Sequence, residues 1–314
     1  MAVLLCYKQE VTGVLLLNSG AKKLFLTNEA NTLVNVMTEL LSEKQIGEII
    51  ASISDKEVSN VQRLVLFVGH AHSGHSLIGA LLDTCRDTAI SNHLNIPNLL
   101  LTFDSLRKRD VFKVVLHYSQ KNSLDSGWQN TGYSYRVPDS YQGVYNQPVL
   151  VGDKQGGAST RTILNNPDVF SQLQHMFKEE LVCIFVERDF LDVIAAYSHY
   201  MKEPLAIKHV DRYFQNLQVV IDIKKSLKSS QWIHIKHEEF IFNPYKNLNL
   251  LFSQLGLKVV RDQTLNAANI VRKAPNHRHS QIIWPDKVCD RIKFYLKDPE
   301  VHQLIDTSSI RVIQ

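Results

Sequence analysis

The sequence predicts an α/β fold, three layers deep, with a mostly parallel central sheet between helices and a small α+β unit ahead of it. Three observations carry that expectation. The unbroken apolar run Leu64-Val-Leu-Phe-Val68 enters Gly69-His-Ala-His-Ser-Gly-His-Ser76 and continues as Ser76-Leu-Ile-Gly-Ala-Leu-Leu-Asp83. A strand buried on both faces, a glycine-bounded loop and an apolar helix make the first unit of a parallel sheet built on a phosphate loop, or P-loop. Beyond it, short apolar strands alternate with helical stretches, as crossover connections require. The 314 residues, 44% hydrophobic and 21% charged, suffice for one soluble main domain and an accessory unit.

Residues 1–60 read as the accessory unit and residues 61–314 as the main domain. Val11–Leu17 and Lys23–Thr27 are expected strands around an Asn18-Ser-Gly20 turn. Asn28 caps an expected helix through Leu41, with Ala30, Leu33, Val34, Met37 and Leu41 on one face. Ser42-Glu-Lys-Gln45 has the capping-box pattern and opens a helix through Ile53, after which Asp55–Asn60 is a linker. In the main domain the expected strands are Thr88–Ser91, Val149–Gly152, Leu181–Val186 and Gln231–Ile235. Helices are expected over 97–121, 190–201, 204–228 and 248–255, the last ended by Gly256.

Residues 122–147 carry Trp128, Tyr133, Tyr135, Tyr141 and Tyr145 among turn formers. A loop of that length in a compact domain is functional or mobile. It predicts a lid over a bound substrate, with Trp128 and Tyr141 offering apolar faces with polar tips. A packed, structural excursion is the alternative.

The net charge of +4 suits an anionic small ligand and gives no case for nucleic acid. Cys6, Cys85, Cys183 and Cys289 lie far apart, with neither metal-ligand nor disulfide spacing. The apolar run Val3-Leu4-Leu5 is too short for a signal peptide or a membrane span. A cytoplasmic protein that engages neither nucleic acid nor membrane is expected.

Glycine, four residues, glycine is the spacing of the triphosphate loop, but His75 stands where that loop has its lysine. Phosphate binding is therefore expected without ordinary ATP or GTP chemistry. Val186-Glu187-Arg188-Asp189 closes the strongest apolar strand, and ligands of open parallel sheets collect at such strand ends. Arg188 is placed to reach the same crevice, or else pairs with Asp189 or Asp192.

Taken in order, the motifs resemble those of the sulfotransferases that use 3′-phosphoadenosine 5′-phosphosulfate (PAPS). Ser73-Gly74-His75-Ser76 is similar to the family's 5′-phosphosulfate loop. Arg188-Asp-Phe-Leu-Asp192-Val193-Ile-Ala-Ala-Tyr197 is similar to its 3′-phosphate strand and helix. Trp232-Ile-His-Ile-Lys-His237-Glu238-Glu239-Phe240 with Asn243-Pro244 resembles a later strand and acidic turn, and Val151-Gly-Asp153-Lys154-Gln-Gly-Gly157 a segment of bacterial members. The resemblance spans roughly residues 62–296.

It implies PAPS as co-substrate, no metal, and transfer of a sulfuryl group to a hydroxyl or amine of a small molecule or peptide. The amides of 73–76 and the hydroxyls of Ser73 and Ser76 would hold the 5′ group. Arg188, with Arg272 and Lys273, would hold the 3′-phosphate, the alternative for that last pair being a solvated basic loop with Arg278 nearby. His72 takes the place of the family's lysine or arginine and would stabilise transfer, while Ala196 replaces a phosphate-binding serine. By position His93 is the acceptor base, against the alternative of a packed strand-end histidine. Asp153 and Lys154, after the third strand, position the acceptor or contact the sulfonate, or else form a salt-bridged turn. His70, His72 and His75 are read as anion contacts rather than metal ligands.

Residues 1–60 are similar in outline to small peptide-binding modules of peptide-modifying enzymes, implying recruitment of a peptide by strand addition, against the alternative of a plain structural extension. Two other functions stay open: a catalytically reduced relative that binds a phosphorylated nucleotide or a protein, and a P-loop kinase or NTPase.

Overall fold

The computed structural model describes residues 2–7, 10–18, 21–26, 41–125, 128–130, 133–273 and 277–313. The chain divides into two compact units, Met1–Ile46 and Gly47–Gln314. The first holds a three-stranded antiparallel sheet, β1 (Ala2–Tyr7), β2 (Glu10–Asn18) and β3 (Ala21–Leu26), in that order. The hairpin turns where the Asn18-Ser-Gly20 signal places it, pairing Asn18 with Ala21 and Gly13 with Leu26. β1 goes beyond the sequence expectation; its run lacks the polar alternation of a half-buried strand, and its pairing with β2 shifts register between Leu5 and Cys6. The helix expected from Asn28 lies, but for Leu41, outside the described residues. α1 (Glu43–Ser52) starts at the capping box: the Ser42 N–H donates to Gln45 Oε1 at 2.8 Å and the Gln45 N–H to Ser42 Oγ at 3.2 Å.

The second unit begins within α1, at Gly47, and continues with β4 (Arg63–Val68), α2 (His75–Leu82), β5 (Thr88–Ser91), α3 (Ile96–Thr102) and α4 (Lys108–Asp125). A short hairpin, β6 (Gln129–Asn130) and β7 (Tyr133–Ser134), leads to β8 (Leu150–Asp153), α5 (Gly156–Asn165) and α6 (Asp168–Phe177). Then come β9 (Leu181–Glu187), α7 (Phe190–Met201), α8 (Ile207–Ser226), β10 (Trp232–Lys236) and α9 (His237–Phe242). α10 (Pro244–Gln254), α11 (Arg261–Asn269), α12 (Asp286–Tyr295) and α13 (Pro299–Leu304) complete it.

The main sheet runs β10-β9-β4-β8-β5 with every neighbouring pair parallel. β4 and β9 are buried on both faces, which is why their sequences are continuous apolar runs. On one face Val65 and Phe67 share an apolar cluster with Ile78 and Leu81 of α2 and Leu248, Leu251 and Phe252 of α10. α5 lies against β4 and packs on α8, and α6 lies against β9. Among the described residues no helix is long and apolar enough to cross a membrane.

The single helix expected over 97–121 is two. Asn95 caps α3, and Asp104 and Ser105 then break the chain before the Arg107 N–H donates to Asp110 Oδ2 at 2.9 Å ahead of α4.

The aromatic stretch is anchored at Asp83, just past the end of α2. Its Oδ2 accepts from Trp128 Nε1 at 3.0 Å and from the Gly143 N–H at 2.9 Å, and its Oδ1 from the Ile90 N–H at 2.7 Å. Trp128 is 2% exposed and belongs to the apolar core. Tyr141 is exposed, with its N–H bonded to the Thr84 carbonyl. Tyr141 therefore sits at the end of α2 away from the glycine loop, while the Trp128 ring runs back along the helix, its Cη2 3.6 Å from where a Cβ on Gly79 would stand. The packed-excursion alternative fits the burial of Trp128 in the core. Burial pushes the Asp83 carboxyl up to about 8, against the pull of those N–H groups. Asp83→Ala is expected to cost about 3 kcal/mol, because several buried donors lose their acceptor at once. Urea unfolding followed by Trp128 fluorescence checks this.

Candidate functional site

β4 and β9 are neighbours, and the connection leaving β4 runs toward β5 while that leaving β9 runs toward β10, so the sheet's switch point lies between their carboxyl ends. Residues 69–76, Asp153-Lys154, Ser91–Asn95, Arg188 and His237 all follow the carboxyl ends of the five strands.

Gly74 sits at φ 106°, and the His237 ring lies so close that a Cβ there would fall 2.5 Å from it. α2 starts directly after, and its first N–H groups, which lack helical partners, face the crevice. Ser73 is fully buried. Its hydroxyl donates to the His70 carbonyl at 2.9 Å and lies 3.2 Å from His75 Nε2, so it serves the loop's own shape instead of a ligand. The Gly69 N–H is taken by Thr160 Oγ1 at 2.7 Å.

His75, in the P-loop lysine position, is folded under the loop against Phe67 and against Gly156, where any Cβ would collide with the ring. Burial, and then the Lys154 charge, hold its pKa down at about 3. It brings no cation. The cation comes from elsewhere: Lys154, at the end of β8, is 4% exposed and donates its ammonium to Ser76 Oγ at 2.9 Å. Gly79 makes the path for it, since a Cβ there would stand 2.7 Å from Lys154 Cβ. Burial lowers the Lys154 pKa to about 8, with Asp153 pulling the other way. An ammonium thus stands at the N-terminus of α2 although the loop itself has no lysine.

Asp153 is fully buried, and both its oxygens hold the loop after β5. Oδ1 accepts from Ser91 Oγ at 3.0 Å and the Leu94 N–H at 3.3 Å, and Oδ2 accepts from the Asn95 N–H at 2.8 Å. This places it as support for His93 and away from an acceptor. His93 bonds the Gln155 side chain and lies near Lys154; burial, and then Lys154, bring its pKa to about 4. It is neutral at pH 7 and able to take a proton. Asp153→Ala is expected to cost about 2–4 kcal/mol, since buried donors of the 91–95 loop are orphaned. Asp153→Asn, which keeps one acceptor oxygen, is expected to cost less; urea midpoints separate the two.

His72 occupies left-handed backbone, φ 68°, and its carbonyl accepts from Arg188 Nη1 at 2.9 Å. Arg188 also meets Asp192 Oδ2 at 3.4 Å through Nη2, so both alternatives read for it coexist. The His72 ring packs beside Tyr200 and Tyr197. Burial, then the charges of Arg278, Arg188 and Arg212, lower its pKa to about 4. The surroundings of His72 thus oppose its protonation at neutral pH, and with it the expected role as a stabilising cation. Arg272 lies over the Tyr133 ring at 4.7 Å, and its charge and that of Arg188 both act on Tyr135. Lys273 is exposed beside it. Arg212, stacked on Tyr197 at 4.8 Å, and Arg278 complete a cationic rim around His72.

Arg212 is not legible in the sequence, because an arginine on a long amphipathic helix reads as solvent-facing. The close approach of Lys154 to α2 had one signal: Gly79, inside a helix that otherwise favours alanine.

No protein-family model and no curated protein sequence matches the chain. Solved structures do. Sulfotransferase STF9 from Mycobacterium avium superposes with TM-score 0.50 at 10% identity, covering 86% of this chain and 85% of that one. A sulfotransferase from Alicyclobacillus acidocaldarius gives 0.46 at 14% identity over 80% and 99% of the two chains. Mouse sulfotransferase SULT7A1, complexed with PAP, gives 0.42 at 12% over 83% and 92%. At 10% identity the likeness to STF9 speaks for architecture alone, and that shared architecture is the sulfotransferase fold.

Proposed function

We propose that the protein transfers a sulfuryl group from PAPS to a hydroxyl or amine of a small molecule or peptide. The observation that carries this is the distribution of charge. Lys154 stands at Ser76 and the start of α2, while Arg188, Arg278 and Arg212 surround His72 on the other side of the loop. Two separated cationic positions suit a nucleotide with phosphates at both ends of its ribose. The carboxylates at the strand ends are engaged otherwise, Asp153 by the 91–95 loop and Glu187 by His234 Nε2 at 2.8 Å, which disfavours the magnesium-nucleotide reading.

PAPS supplies an activated S–O bond. Lys154 and the N–H groups of α2 bind the 5′ group and stabilise charge on the oxygen released as that bond breaks. Arg188, with Arg272, holds the 3′-phosphate. His93, neutral, takes the acceptor proton as the new O–S or N–S bond forms. Lys273 adds long-range attraction to the same end. Ala196, buried in α7, and the neutral His72 favour the second reading, a relative that binds the nucleotide but turns over slowly.

For a peptide acceptor, the outer strands β1 and β3 of the N-terminal sheet offer edges to which an extended segment adds. The test is release of 3′,5′-ADP from PAPS in the presence of phenols, sugars and hydroxylated peptides. Release that depends on the acceptor supports transfer; tight 3′,5′-ADP binding without release supports the second reading.

A further inference from the structure

Next to the arginine rim lies a second set of donor groups. Asp192, in the first turn of α7, is 1% exposed. His279 meets it twice: its N–H donates to Asp192 Oδ1 at 2.9 Å, and its Nδ1 lies 2.8 Å from the same oxygen. His277, exposed, turns its ring edge-on to that of His279, with centroids 5.8 Å apart and planes at 74°. One ligand atom from each of Asp192, His277 and His279 lies within 4.8 Å of the other two. We propose that Asp192, His277 and His279 form a binding site for a divalent transition metal of the zinc class.

The geometry is close to what such an ion needs. With bonds of about 2.0–2.1 Å, tetrahedral coordination puts ligand atoms about 3.3 Å apart. The His279–Asp192 pair, 2.8 Å apart, is almost in place. His277 closes the remaining gap by rotation about its side-chain bonds, which its exposure permits. Two imidazoles on one tetrahedral ion have centroids roughly 5 Å apart, near the spacing of this pair. Two ring nitrogens and a single carboxylate favour zinc, cobalt or nickel over magnesium and calcium, which require oxygen ligands. Around the site, Arg188 Nη2 lies 3.4 Å from Asp192 Oδ2, and Asp189 Oδ1 lies 3.7 Å from His279 Nδ1. The ion thus meets two carboxylates, with the guanidinium of Arg188 beside Asp192 and Arg278 between the two histidines in the chain.

A bound ion would tie the 277–281 segment to α7. Arg278 lies between the two histidine ligands, and its charge faces His72. Metal would then hold one arginine of the rim in position. The site stands on its own geometry; only this coupling rests on the nucleotide reading. Histidines two apart with an aspartate 87 residues before the second leave no spacing signal in a sequence.

The test uses tag-free, chelator-treated protein titrated with zinc alone against a chromophoric chelator, and with cobalt(II) followed by its visible absorption. One ion per chain is expected, with the intense visible bands of four-coordinate cobalt. His277→Ala and His279→Ala are each expected to weaken zinc by at least about tenfold, and the distant, exposed His175→Ala to leave it unchanged. If His279→Ala fails to fold, the exposed His277→Ala alone decides. Zinc uptake that is absent, or unaltered in His277→Ala, overturns the proposal. A parallel titration with 3′,5′-ADP keeps the two readings apart: nucleotide without zinc sinks only the metal site, and zinc without nucleotide sinks only the transfer function.

Discussion

Lys154→Met is expected to lower the rate of sulfuryl transfer by about 100- to 1000-fold, the effect of removing one preorganised charge donor from a transfer site. The same change is expected to make the protein more stable. Lys154 is 4% exposed, and burial lowers its pKa to about 8 from the ordinary 10.5. Between those values the unfolded chain holds a proton that the folded chain has released. The penalty for burying the ammonium is therefore fully present below about pH 8 and is relieved as pH rises toward 10.5. At neutral pH it amounts to about 3 kcal/mol at most. Methionine fills a similar volume without charge, so the thermal midpoint at pH 7 should rise while activity collapses. A residue kept at a cost in stability is a mark of function. The same pKa predicts that nucleotide affinity of the native protein falls as pH rises above about 8, since the ammonium is then lost before binding. Thermal melts and titrations from pH 6.5 to 9.5 check both statements. An activity that survives Lys154→Met would remove Lys154 from the chemistry.

Arg188→Ala is expected to weaken 3′,5′-ADP by about 1.5–3 kcal/mol, the usual loss for a hydrogen bond to a charged group. The side chain has two further duties, to the His72 carbonyl and to Asp192. Removing it also frees a left-handed segment of the loop, so turnover should fall along with affinity. Arg188→Lys is expected to resemble the alanine variant, because one ammonium lacks the planar fork that reaches the carbonyl and the carboxylate together. Affinity by calorimetry and turnover at saturating nucleotide separate the two effects. Unchanged affinity in Arg188→Ala would place the 3′-phosphate elsewhere.

What the sequence shows and what it hides divide along physical lines. β4, β5 and β9 are legible to within a residue because strands buried on both faces are unbroken apolar runs between turn formers. The crevice is legible as well, since a glycine loop after one such strand and an arginine after another meet wherever strand order reverses. α5 and α6 are not, because Gly156-Gly-Ala-Ser-Thr reads as a loop; its glycine admits the His75 ring, a tertiary reason. The break between α3 and α4 is a matter of two turn residues inside an otherwise periodic stretch. Trp128 illustrates the opposite case, in which an amphipathic residue type suggests a lid and a buried aspartate turns out to tie it into the core. The source of positive charge is the deepest case. His72 and His75 look like the candidates by position, yet burial keeps both neutral, and the charge arrives from a neighbouring strand.

Calorimetric titration of the native protein with 3′,5′-ADP, with magnesium-ATP as the control, tests the central claim most directly. The charge distribution at the switch point predicts tight binding of 3′,5′-ADP and weak binding of magnesium-ATP. Equal affinities, or a preference for magnesium-ATP, would contradict it.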